Sequence, residues 1–141
     1  MTALLDIRDL TLSFRGFEGE NRVLHGISLN VAKGEKVALV GESGSGKSVT
    51  AMTLMRLTEH DGASITGGSI RLRGREGRLI DVTRMPLEKM ISIRGADISI
   101  VFQDPMSSLN PVFTVGEQIC EAIVRHQAKS MREAEKIALK T

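Results

Sequence analysis

One stretch of eight residues constrains this chain more than any other. Gly41-Glu42-Ser43-Gly44-Ser45-Gly46-Lys47-Ser48 sets a glycine, four intervening residues and then Gly-Lys-Ser, the spacing of a loop that wraps a phosphate with consecutive backbone amides. Its surroundings sharpen the reading. Lys36-Val37-Ala38-Leu39-Val40 just before it is a compact apolar run, of the length and β-branched content of a buried strand, and it predicts a parallel-sheet strand. After it comes VTAMTLMRLTEH, in which Val49, Met52, Met55 and Arg56 are spaced for a helix with one buried face. A helix beginning there adds the positive end of its dipole to the loop.

Within the loop each residue type has a chemical reason. Glycines let the backbone approach an anion that side chains would obstruct. Lys47 is expected to reach β- and γ-phosphates as a mobile point charge, and the Ser48 hydroxyl to ligate a Mg²⁺ bridging them. Ser43 and Ser45 offer hydroxyl donors, although turn composition alone also produces serines. The Glu42 carboxylate would be repelled by polyphosphate, so an exposed bulge suits it better than a hydrolytic role. The candidate nucleotide contacts therefore run through Gly41, Glu42, Ser43, Gly44, Ser45, Gly46, Lys47, Ser48 and Val49. A glycine-rich turn with an incidental lysine is the plain alternative.

The rest of the chain supplies a frame for this loop. Leu4 to Phe14 ends in the alternation Leu10, Leu12, Phe14, and Val23 to Val31 repeats it with Ile27, Leu29 and Val31, which predicts an antiparallel pair of strands. Ser69 to Arg73 alternates Ile70 and Leu72 with Arg71 and Arg73, a strand with one wet face; Arg75 and Arg78 extend its basic side. Pro86 to Ile93 suits a short helix with the proline in its first turn, stopping at Gly95. Ile98 to Phe102 is a further apolar strand candidate, with Gln103 at its C-terminal end and the proline-bounded stretch DPMSSLNP beyond. Thr114 with Glu117 and Ser130 with Glu133 have capping-box spacing, so each is expected to start a helix. Ile119, Ala122 and Ile123 are the expected buried face of the first, and the second is still in helical rhythm at Ala138-Leu139-Lys140.

Composition excludes several classes of function. With 141 residues, 41% of them hydrophobic and 26% charged, the chain has the size and make-up of one ordinary globular domain. Aromatic residues are 3%, all four of them Phe, too few for base-stacking platforms on single-stranded nucleic acid. A net charge of +2 is too small for a polyanion footprint, so no nucleic-acid partner is expected. The single cysteine, Cys120, forms no internal disulfide and fits a buried small hydrophobe on its helix. His25, His60 and His126 lack metal-ligand spacing. The N-terminus MTALLDIRDL has no export-signal pattern, and no apolar stretch reaches membrane-spanning length.

Two segments carry a family resemblance: LHGISLNVAKGEKVALVGESGSGKSVTAMTLMRL and, more diagnostically, IRGADISIVFQDPMSSLNPVFTVGEQICEAI. Across essentially all of its length the chain resembles the N-terminal portion of an ABC transporter ATP-binding subunit, of the dipeptide and oligopeptide class that includes nickel and glutathione importers. The resemblance implies an α/β fold, the P-loop nucleoside triphosphate hydrolase fold of the ABC ATPase type with N-terminal antiparallel strands. It divides the chain into a core part at 4–112, with the phosphate loop and Q-loop, and the start of a helical subdomain at 113–141. It implies ATP and Mg²⁺ as ligands. Phe14 matches the aromatic position that stacks on adenine, with Phe17 a substitute; finishing the apolar face of its strand is the alternative role for Phe14. Gln103 matches the Q-loop glutamine, which contacts Mg²⁺ and the neighbourhood of the attacking water, and Lys47 and Gln103 are the catalytic candidates. Asp104, Pro105 and the stretch to Pro111 resemble the start of the surface that receives a permease coupling helix. The implied partners are membrane permease subunits, a second ATP-binding subunit in a head-to-tail dimer and, indirectly, a solute-binding protein. The implied location is peripheral, on the cytoplasmic face of the plasma (inner) membrane.

The sequence departs from the family beyond Gln103. No LSGGQ-like signature, Walker B carboxylates, D-loop or switch histidine is found, and Asp104, Glu117, Glu121, Glu133 and Glu135 do not follow an apolar strand. The 141-residue chain is thus expected to bind ATP without hydrolysing it appreciably. The complete domain would be roughly 240 residues, within the ordinary range. A truncated or frameshifted reading is the favoured expectation, ahead of a fragment whose remainder lies elsewhere. The other functional readings are a noncatalytic or regulatory nucleotide-binding fragment that pairs with a transporter, and a small P-loop kinase or GTPase. The last lacks both a lid arginine cluster and an NKxD-type motif. The transported solute is not legible in the chain.

Overall fold

The structure, a computed structural model, describes residues 3–16, 19–103, 109–127 and 129–140. The chain divides into two compact units, Met1–Ile98 and Ser99–Thr141.

The first unit is built on a sheet of order β2-β1-β3-β4, antiparallel throughout: β1 (Ala3–Gly16), β2 (Gly19–Ala32), β3 (Ala63–Arg73) and β4 (Leu79–Asp81). The alternations of the first two segments form the expected antiparallel pair, with Leu10 opposite Ile27 and Leu12 opposite Leu24. A register shift between Ile7 and Leu10 lets β1 bury Ile7, Leu10 and Leu12, which strict alternation would not place on one face. Asp9, at φ 47°, forms the bend, and its N–H donates to Ser28 Oγ at 2.9 Å. Across the ladder Gly68 packs so closely that a Cβ there would lie 2.3 Å from the Arg8 carbonyl oxygen. Only glycine fits opposite this bulge.

The covered face of the sheet gathers Ile7, Leu10, Leu12, Leu24, Ile70, Leu72 and Ile80, all buried. Arg71, by contrast, is exposed, as the alternation of β3 requires. Truncating Leu10, which has no exposed surface, would cost about 2–5 kcal/mol through lost transfer energy and a residual cavity. From this sheet the chain enters the glycine loop, α1 (Lys47–Leu54), a 3₁₀ turn at Thr58–Asp61 and, after β4, α2 (Leu87–Ile93). Pro86 is the N-cap of α2, one position ahead of the expected first turn, and Arg94 closes the helix one residue before Gly95.

Two expected strands are absent. Residues 35–42 carry no regular structure, and Val37, Leu39 and Val40 are exposed by 43%, 49% and 93%. Residues 99–102 are likewise irregular, leaving a single bridge between Arg94 and Ile98. Composition prepares both segments to be central strands, but a strand exists only where a neighbour takes its hydrogen bonds, and no described segment pairs with either.

In the second unit α3 (Val115–Gln127) packs on α4 (Met131–Ala138). Cys120 and Ile123 of α3 close on Ala134, with Val124, Ile137 and Ala138 around them. Cys120 is the buried small hydrophobe the sequence predicts, whereas Ile119 and Ala122 are exposed. The buried stripe keeps Ile123 of the expected one and runs through Cys120 against Ala134 instead of through Ile119 and Ala122. Both capping boxes form: Glu117 N–H donates to Thr114 Oγ1 at 3.2 Å and Glu133 N–H to Ser130 Oγ at 3.4 Å. The helical rhythm at 138–140 ends at Leu139, the C-cap, whose N–H reaches the Glu135 carbonyl. No described helix is long and apolar enough to cross a membrane.

Candidate functional site

The glycine loop meets α1 at Gly46, the N-cap, which at φ 89° lies in the left-handed region and offers no capping side chain. The first turn of the helix is instead tied back by Thr50, whose N–H and Oγ1–H both donate to the Gly46 carbonyl oxygen at 2.8 Å. No acidic residue sits in that turn, so its free amides and the positive end of the helix dipole face the loop uncompensated.

Lys47, the first residue of α1, folds its side chain back over the loop. Nζ donates to the carbonyl oxygens of Gly41 at 2.8 Å and Glu42 at 2.6 Å, and to Ser45 Oγ at 3.2 Å. Its ammonium thereby sits among the residues the motif assigns to phosphate contact, held by groups that an anion can replace as acceptors. Ser45 N–H closes a turn onto the Glu42 carbonyl at 3.3 Å, and Gly44 adopts φ 82°. A Cβ on Gly41 would lie 2.8 Å from Ser45 Oγ, so any larger residue at the first glycine of the motif displaces the Ser45 hydroxyl that accepts from Lys47.

The remaining candidates are less concentrated. Glu42, Ser43 and Ser48 are exposed, and Val49 is half-buried with its carbonyl accepting from Thr53 Oγ1 at 2.7 Å. Phe14 is half-buried on β1, opposite Asn21 and Ala63. Gln103 is exposed on a bend of the second unit, without the strand expected to present it. Phe17, Asp104 and Pro105 lie outside the described residues. Among the described residues no group of three or more His, Cys, Asp or Glu side chains is arranged to hold a metal. A metal here would rely on hydroxyl, amide and phosphate oxygens, a donor set that suits Mg²⁺.

The sequence reading missed Thr50, Arg56 and Arg94. Thr50 stands one turn beyond Gly46, a spacing that permits its bond to the Gly46 carbonyl. Arg56 reads in the sequence only as part of the helical stripe and Arg94 carries no local pattern, because their bonds reach 26 to 39 residues along the chain.

A glycine-rich loop feeding the uncapped start of a helix, beside an antiparallel sheet, defines a phosphate-loop α/β protein. Residues 24–140 match the sequence profile of the ABC transporter family, and the chain belongs to that family. It is 47% identical over 131 residues to the glutathione import ATP-binding protein GsiA of Salmonella typhimurium, a match covering 93% of this chain and 21% of that protein. It is 48% identical over the same length to a protein of Brucella ovis whose name provisionally assigns it to ATP binding in peptide import, covering 93% and 39%. Among solved structures it resembles the dimeric bacterial ABC transporter cassette MJ0796, with a TM-score of 0.76 and 25% identity over 96% of this chain and 54% of that one. A post-hydrolysis dimer of MJ0796 bound to ADP and phosphate gives a TM-score of 0.73 at 24% identity, with the same coverage. The fold is therefore that of the ABC ATPase cassette, and the chain spans between a fifth and two fifths of the length of these sequence relatives.

Proposed function

We infer that this chain binds ATP as the front part of the ATP-binding subunit of an importer for peptides or related small solutes. The observation that carries this reading is the placement of the Lys47 ammonium over the Gly41 and Glu42 carbonyls, directly before an uncapped helix start. Bound ATP would take the Lys47 donors and the amides of 41–49 with its phosphates, and Phe14 would stack on adenine. Ser48 and, by its position in the family, Gln103 would hold Mg²⁺. The metal, when bound, supplies charge neutralisation across the β- and γ-phosphates.

Residues 4–112 serve as the nucleotide-binding core in this reading, and 113–141 as the start of a helical subdomain. The relatives named for glutathione and peptide import and the dimeric cassette support a working assembly of permease subunits and a second ATP-binding subunit, peripheral to the membrane on its cytoplasmic face. A solute-binding protein would take part indirectly.

A displacement titration tests the binding reading. The purified chain is loaded with a fluorescent ATP analogue and competed with ATP, ADP, AMP and inorganic triphosphate, with and without Mg²⁺. ATP and ADP should displace the analogue, Mg²⁺ should tighten ATP, and AMP should be at least about tenfold weaker because it lacks the phosphates Lys47 contacts. Equal competition by AMP and ATP, or none by ATP, would overturn the reading.

A further inference from the structure

The C-terminal end of α1 is as unusual as its start. Arg56 N–H bonds the Thr53 carbonyl at 2.9 Å and Leu57 N–H the Met52 carbonyl at 3.0 Å, the paired bonds of a Schellman close, in which the residue at the Arg56 position is left-handed and normally glycine. Here that residue is an arginine at φ 54°. Its backbone strain is held by its side chain, which is only 13% exposed. Nε and Nη2 donate to the two carboxylate oxygens of Glu59 at 2.5 and 3.0 Å, while Nη1 donates to the carbonyl oxygens of Val82 and Met85. Arg56 thus reaches from α1 to the segment that leads into α2.

Arg94 reaches the opposite way. From the end of α2 its Nε donates to the Met55 carbonyl at 2.9 Å and its Nη2 to the Arg56 carbonyl at 3.3 Å. The last turn of α1 contains no basic residue of its own. Arg94 supplies the positive charge that satisfies these end carbonyls and opposes the negative end of the helix dipole. The two guanidinium groups form a two-way brace: Arg56, just past α1, holds the carbonyls of Val82 and Met85 ahead of α2, and Arg94, at the end of α2, holds the carbonyls of Met55 and Arg56 that close α1.

We propose that Arg56 and Arg94 are positioning residues for the phosphate loop: their brace locks α1 to α2, so that a nucleotide held at the start of α1 also quiets α2. This rests on the nucleotide-binding reading above. An eight-residue helix is too short to persist by itself, so its placement depends on what grips its ends. The loop grips one end through Gly46 and Lys47, and the brace grips the other about 12 Å away. Tightening either end lowers the freedom of the whole helix, which makes the two sites thermodynamically linked.

Amide hydrogen exchange on the full chain, with and without MgATP, tests this in wild type, Arg56→Gly and Arg94→Met, with ATP affinity measured separately. Arg56→Gly relieves the left-handed strain while removing the side chain, so loss of coupling in it is not a folding defect. In wild type, ATP should slow exchange at 87–98 by about threefold or more, together with 41–50. In both variants protection of 41–50 should remain at saturating ATP, protection of 87–98 should vanish, and ATP affinity should fall about three- to tenfold. Unchanged α2 protection in the variants, or ATP binding to wild type with no response in α2, would overturn the brace. If wild type binds no ATP, the nucleotide reading fails instead. The brace is then judged without nucleotide: both variants must speed exchange in α1 and α2 together, and unchanged α1 exchange refutes it.

Discussion

Lys47 Nζ donates to the carbonyl oxygen of Glu42 at 2.6 Å, a contact that folds the motif lysine back over its own loop. Because its acceptors are loop carbonyls and one hydroxyl, the side chain organises the loop and also carries its only motif cation. Lys47→Ala should lower ATP affinity by about ten- to a hundredfold, the range expected on losing a charge-assisted hydrogen bond of about 1.5–3 kcal/mol. Displacement of a fluorescent ATP analogue measures it. Affinity within twofold of wild type, on the order of 0.4 kcal/mol, would place the phosphates elsewhere.

Gly41 and Ser45 are coupled by the space between them. A methyl group on Gly41 would lie 2.8 Å from Ser45 Oγ and 3.4 Å from Ser45 Cβ, so the serine, which also accepts from Lys47, must move. Gly41→Ala should weaken ATP binding by about three- to tenfold, and adding Ser45→Gly should restore much of the loss despite removing a hydroxyl. Additive losses in the double variant would show that the clash is not what matters.

The legible parts of the fold were those encoded by neighbours in sequence. The β1–β2 pairing followed from alternating apolar positions, and the two capping boxes from a four-residue spacing that contains every atom the motif needs. The glycine loop was legible for the same reason, since the hydrogen bonds of the Lys47 ammonium all fall within six residues. What failed depended on partners distant in the chain. Val37 to Val40 and Ile100 to Phe102 have strand composition without a pairing strand, and composition registers only the readiness to pair. On α3 the expected burial of Cys120 and Ile123 holds, whereas Ile119 and Ala122 are exposed, because the residues that face inward are those packed on Ala134 of α4, which the periodicity of α3 alone does not encode. Arg56, which completed an apparent helical stripe, proved to be the left-handed residue that ends the helix.

Thr58 supplies a stability prediction. The residue is 1% exposed, and its Oγ1 is buried without a hydrogen-bond partner among the described residues. Burying an unsatisfied hydroxyl costs about 1–3 kcal/mol. Thr58→Val keeps the shape and removes the polar atom, so it should raise the unfolding free energy by about 1 kcal/mol in urea denaturation. A loss of stability would show that the hydroxyl is bonded in solution.

The two capping boxes make the second unit sensitive to acid. The Thr114 hydroxyl, followed by its backbone N–H, holds the Glu117 carboxyl below the usual glutamate range. The Ser130 hydroxyl, then the Ser130 backbone N–H and the charge of Lys129, do the same for Glu133. A carboxyl that is more acidic folded than unfolded contributes stability above its unfolded value and loses it as pH falls through the folded one. Helices α3 and α4 should therefore keep their caps at neutral pH and fray below the ordinary glutamate range. Carboxyl-carbon NMR titration checks the cause: Thr114→Ala should return Glu117, and Ser130→Ala Glu133, toward the usual range. Unmoved titration in both variants would remove the caps as its origin.

Val40, 93% exposed just before the phosphate loop, tests the largest departure from sequence expectation. In a buried strand, a lysine at this position would have to carry its charge out of water at a cost of several kcal/mol. On the exposed segment it has nothing to disrupt. Val40→Lys should leave the unfolding free energy of the chain within about 0.5 kcal/mol of wild type, the range of an ordinary surface change. Leu10→Ala, on the covered face of the sheet, should lose about 2–5 kcal/mol in the same urea series. The charge should also reduce self-association seen by light scattering, because an apolar, strand-prone segment with free backbone groups is a template for pairing between copies. If Val40→Lys unfolds the chain while Leu10→Ala behaves as expected, residues 36–40 are packed in solution and the strand reading of this segment is restored.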